Sequence, residues 1–77
     1  MEYYVLNQSG RKAIRNLEKE GKNDEARILD LLDRAGSATL EQLMYTLNMP
    51  DHTIMNILKT FLAKRWIWKN TTKTSEF

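Results

Sequence analysis

The sequence predicts a mainly α fold with a small β-sheet, an α+β arrangement in which helix outweighs strand. Three observations predict it. Apolar residues recur at helical spacing in four successive stretches. Two short segments, Glu2 to Leu6 and Trp66 to Lys69, are rich in the aromatic and branched residues that favour strands. The chain is 42% apolar and 29% charged, with three glycines and one proline, which is the balance of a folded, helix-leaning protein.

Each element follows from local signals. Glu2 to Leu6 reads as a strand, and Asn7-Gln8-Ser9-Gly10 as the turn that ends it. Ser9 is the expected cap of a helix over 10–20 with Ala13, Ile14 and Leu17 on one face, stopped by Gly21. Asn23 or Asp24 caps a second helix over 24–35, whose broad stripe of Ala26, Ile28, Leu29, Leu31, Leu32 and Ala35 makes it the central one. Gly36 ends it, and Ser37-Ala38-Thr39 is a connector with room for a bridge of strand. Thr39 stands three residues before Gln42, the spacing of a capping box, and opens a helix over 40–47. Asn48-Met49-Pro50 is a turn, because Asn tolerates the left-handed conformation and Pro cannot continue a helix. Asp51 then caps, or sits in the first turn of, a helix over 51–64 with Ile54, Ile57, Leu58 and Phe61 apolar. Trp66 to Lys69 follows as a strand, Asn70 to Lys73 as a turn, and 74–77 as a last short strand or a tail. The expected core is Leu29, Leu32, Leu43, Leu47, Ile54, Leu58 and Phe61.

Composition excludes several classes of function. The 77 residues suit one domain, and a domain this small buries only about 60% of the surface its unfolded chain exposes. There is no cysteine and one histidine, His52, so neither disulfides nor a thiolate zinc site can staple it. No metal and no cofactor are expected. Association is the remaining support, and a homodimer is expected. No glycine-rich phosphate loop and no converging nucleophile, acid and base can be assembled, so the chain reads as non-enzymatic, with no evident small-molecule ligand. The longest apolar run, Trp66-Ile67-Trp68, is too short to span a bilayer, and the start of the chain lacks a signal peptide's pattern. A cytoplasmic protein without membrane contact is the expectation.

Net charge is +2, but its distribution is uneven. Arg11, Lys12, Arg15, Lys19 and Lys22 lie near one end, and Lys59, Lys64, Arg65, Lys69 and Lys73 near the other. The middle is acidic. Either these are ordinary solvated charges, or the two ends fold together into one basic face.

Residues 24–68 resemble the winged-helix branch of the helix-turn-helix superfamily. Glu25 to Gly36 looks like its first helix and Ser37 to Leu47 like its second. Leu47-Asn48-Met49-Pro50-Asp51-His52-Thr53-Ile54 looks like the turn and the start of the recognition helix, with Met49 at the apolar turn position. Leu58 and Phe61 fall on later core positions, and Trp66-Ile67 looks like the strand that enters the wing. Arg65 stands where the family often has glycine, and the wing tip has none. The segment Tyr4 to Lys12 is also similar to winged-helix extensions of archaeal and eukaryotic phenylalanyl-tRNA synthetase α chains, without any bearing on aminoacylation. The resemblance implies a winged helix-turn-helix with an additional amino-terminal strand and helix (1–22), a core and wing entry (23–69), and a short wing or tail (70–77).

It also implies a partner, double-stranded DNA, and a role in transcription regulation. The family docks its recognition helix in the major groove, about 12 Å wide. The expected base-reading residues are His52, Thr53, Met55, Asn56 and Lys59: Asn56 suits adenine, Met55 a thymine methyl, and Lys59 guanine or phosphate. Phosphate contacts are expected from Lys64, Arg65, Lys69 and Lys73, and from the helix start at Thr39. The alternative is a module for protein contact, or an RNA-binding accessory domain, whose surface would hold Tyr3, Tyr4, Leu62, Trp66 and Trp68. These aromatics either pack against the helices or one another, or stack bases.

Overall fold

A computed structural model describes residues 2–71, which form strand β1 (Glu2–Leu6), helices α1 (Gln8–Lys19), α2 (Asn23–Ala35), α3 (Leu40–Leu47) and α4 (Asp51–Ala63), and strand β2 (Ile67–Thr71). The mainly α reading with a small sheet holds. Lys73 and the segment 74–77 lie outside the described residues.

The helix signals were mostly local, and α3 shows this best. Its expected capping box is present: Thr39 Oγ1 accepts from the Gln42 backbone at 3.1 Å, and the Thr39 backbone N–H donates to Gln42 Oε1 at 2.9 Å. Asn48 ends α3 in the left-handed region at φ 55°, as its side chain allows. Pro50 is the N-cap of α4, which puts Asp51 in the first turn rather than at the cap. Two caps differ from expectation. Asn7, not Ser9, caps α1 by accepting from the Gly10 N–H at 2.8 Å, so the helix starts two residues earlier. Lys22 stands at the N-cap of α2 without a side-chain hydrogen bond, and Asn23 and Asp24 lie inside the helix.

Arg65 explains the missing glycine after α4. It adopts φ 61°, a conformation that costs a non-glycine residue about 1–2 kcal/mol. Around it the Trp66 N–H donates to the Phe61 carbonyl at 2.9 Å, and the Arg65 N–H to Leu62 at 3.1 Å. That pair of bonds closes a helix end, and the Trp66 ring packs on Phe61 with centroids 5.6 Å apart. Asn7 locks the same turn from outside. Its side chain donates to the Arg65 carbonyl and its backbone N–H to the Trp66 carbonyl.

The sheet corrects the reading of the carboxyl end. β2 pairs antiparallel with β1, Leu6 opposite Ile67 and Glu2 opposite Thr71. Asn70 and Thr71 therefore belong to a strand, not a turn, and Trp66 belongs to the helix-ending turn, not the strand. β1 supplies the ladder that these polar residues would otherwise lack, and tertiary pairing overrides their turn propensity. On its other edge β1 meets the expected bridge at Ala38: the Tyr4 N–H donates to the Ala38 carbonyl at 2.8 Å, and the Ala38 N–H to Tyr4 at 3.1 Å.

All seven expected core residues are buried, in one cluster with Tyr4, Leu6, Ala13, Leu17, Ala26, Ile28, Ala38 and Ile67. Gly10 is a packing position rather than a turn. A Cβ on it would overlap the Trp66 carbonyl oxygen and Leu6 Cδ1, and the carbonyl is backbone that cannot swing away. Gly10→Ala is therefore expected to destabilise the protein by about 1–3 kcal/mol despite alanine's better helix propensity. Urea unfolding checks this, and equal or higher stability would refute the close approach.

Candidate nucleic-acid interface

α4 buries Ile54, Leu58 and Phe61 and leaves a stripe exposed on the opposite side. His52, Asn56, Lys59, Thr60 and Ala63 form it, at spacings of four, three and one residues that keep them on one helix face. Thr60 donates its hydroxyl to the Asn56 carbonyl at 3.2 Å, which leaves the Asn56 carboxamide outside that bond. The expected base-reading set thus divides. His52, Asn56 and Lys59 share the stripe, whereas Thr53 and Met55 are half-buried on its two flanks. Thr60 is an addition that its distance from the turn concealed. Asp51 lies 3.9 Å from His52 Nδ1, a weak pairing between two exposed groups.

The expected phosphate contacts are held less freely. Thr39 commits one hydroxyl lone pair and its backbone N–H to the capping box, which leaves its hydroxyl proton uncommitted by that box. Lys64 Nζ lies over the Trp66 ring, 4.7 Å from its centroid. Lys69 Nζ stands 3.8 Å from Glu2 across the sheet. Arg65 is exposed at the end of α4. The contact of Asn7 with Arg65 brings the start of α1 to the end of α4, so Arg11 and Lys12 lie four and five residues along the chain from that junction. Arg11 is paired with Asp33 at 2.9 Å.

The aromatic residues divide by exposure. Tyr4 is only 4% exposed: it lies under the sheet, where the pairing register puts Tyr4 and Leu6 on the core side. Little of it is open to solvent, and what is lies at a depression shared with Leu40, Met44 and Met55. Trp66 and Leu62 are half-buried against the core, and Tyr3 is half-buried on the outer face of the sheet. Of that expected set only Trp68, opposite Val5, is exposed, at 53%. Among the described residues the most exposed aromatic is one the sequence did not single out, Tyr45 on α3 at 91%.

Burial, and secondarily the nearby Glu2 carboxylate, raises the Tyr4 hydroxyl above its ordinary value of 10.0. The neutral phenol is the form the fold prefers. Its contribution to stability is complete below the unfolded value and is lost as pH rises through the folded one. Alkaline unfolding should therefore shift to higher pH in Tyr4→Phe, and identical alkaline midpoints would show that Tyr4 does not sense burial.

Among the described residues no group of three or more His, Asp or Glu side chains is placed to hold a metal ion, and no helix is long and apolar enough to cross a membrane. Comparison with known proteins finds no matching family model, no similar characterised protein and no similar solved structure.

Proposed function

We propose that the chain is a winged helix-turn-helix protein that binds double-stranded DNA without catalysis, as a small transcription regulator, with α4 in the major groove. One observation carries this reading: α4 presents an uncovered stripe in which His52, Asn56 and Lys59 are able to donate to base edges or phosphates, while Thr60, its hydroxyl proton held by the Asn56 carbonyl, offers an acceptor. The setting supports it. α3 precedes α4 through the tight turn at Asn48–Pro50, four helices pack on a small sheet, and Lys64 and Arg65 sit just beyond the end of α4. Phosphate contacts by such cations supply affinity but carry no sequence information.

A second reading is favoured by Trp68. It stands exposed on the outer sheet face beside Val5, where a protein partner could cover it. The two readings separate by mutation. For DNA binding, Lys64→Ala or Lys69→Ala should weaken all duplex sequences alike and lower the salt slope by about one unit. If Trp68→Ala abolishes a protein complex while the lysine variants leave DNA affinity untouched, the sheet-face reading prevails. Sedimentation of the DNA complex reports whether one copy binds or a two-fold pair, whose α4 helices would need to lie about 34 Å apart.

A further inference from the structure

Beside the α4 stripe, on the flank that carries Met55, two open depressions adjoin across a shared rim of Glu41 and Met44. Their floor is apolar and soft. Three of the chain's four methionines, Met44, Met49 and Met55, converge there with Leu40, all half-buried, and Tyr45 stands beside them almost fully exposed. Methionine-rich surfaces of this kind adapt to apolar anchors of varied shape. The charged residues lining both depressions are all carboxylates: Glu2 from β1, Glu41 from α3 and Asp51 from α4. Glu2 faces Lys69 and Asp51 faces His52, each at nearly 4 Å, and among the described residues no cation pairs with Glu41.

We infer that this groove docks a cationic amphipathic helix of another protein. Its apolar side chains would enter the two depressions, and its lysines or arginines would meet the three carboxylates. Charge complementarity selects that occupant. A nucleic acid would bring phosphates to a rim of carboxylates, with repulsion instead of counterion release. A second copy of this chain could offer cations on α1, but the apolar face of α1 is buried in its own core. The copy's exposed Trp68 carries a single apolar anchor, with only Lys69, already facing Glu2, as a cation beside it on its strand. A helix with apolar residues at i, i+3, i+4 and i+7 carries several anchors on one side and cations on the other, as the two depressions and their rim require.

The test uses the full chain with isotopically labelled methionine methyl groups. The probe is a short synthetic peptide with leucine at i, i+3, i+4 and i+7 and lysine on its other face. A matched peptide carries glutamate in place of lysine. The lysine peptide should shift the Met44, Met49 and Met55 methyl signals, and the glutamate peptide should not. Tyr45→Ala, which removes a side chain outside the core, should weaken binding about tenfold without changing the melting temperature. Glu41→Gln should weaken it less and reduce its salt dependence. Equal binding of both peptides, unchanged affinity in Y45A, unmoved methionine signals, or shifts of Met44 and Met49 produced by duplex DNA would each overturn the proposal.

Discussion

Leu58→Ala is expected to lower the unfolding free energy by about 2–5 kcal/mol, enough to leave the protein close to unfolded. Leu58 is 1% exposed and belongs to the one cluster that joins all four helices to the sheet. Truncation removes the transfer free energy of the lost methyl groups and leaves a cavity that its neighbours fill only in part. A chain of this length has about 5 kcal/mol to lose, with no disulfide to restrain the unfolded state. Urea unfolding or thermal melting reads the effect. An unchanged transition would mean that α4 packs in another rotation, and every assignment to its exposed stripe would fail with it.

Asn56→Ala is expected to weaken binding to a preferred duplex by about 1–3 kcal/mol while leaving binding to unrelated duplexes nearly intact. A carboxamide can meet adenine through two hydrogen bonds in the major groove, and methyl truncation removes both. The position is exposed, so stability should change little. That separation of effects distinguishes base reading from phosphate contact, for which Lys64→Ala is the comparison. Equal losses on all sequences would move Asn56 from base reading to a backbone contact.

The helix framework was legible because its signals are local. The capping box of Thr39 and Gln42, the left-handed Asn48 and the apolar stripes each depend on residues within a turn of one another, and the core they imply is the core found. Long-range choices were not legible. Asn7 won the cap of α1 over Ser9 because the same side chain also holds the Arg65 carbonyl, 58 residues away in sequence. Tyr3 and Tyr4 are indistinguishable in composition, and only the pairing of β1 with β2 and Ala38 decides which of them is buried. On α4, period alone placed Ile54, Leu58 and Phe61 inside, yet it could not say that Met55 faces a groove shared with α3 and β1. The carboxylates of that groove come from three elements, so no sequence window contains them. Tyr45 is illegible for a related reason: nothing local to α3 shows that its side of the helix has no neighbour.

Titration of the purified chain with duplex DNA at a series of salt concentrations tests the central claim most directly. DNA binding through α4 predicts a measurable affinity at physiological salt whose logarithm falls linearly with the logarithm of salt concentration. Its slope should correspond to about four to six phosphate contacts, and it should become shallower in Lys64→Ala. Negligible binding at physiological salt, or binding that salt does not alter, would contradict the claim.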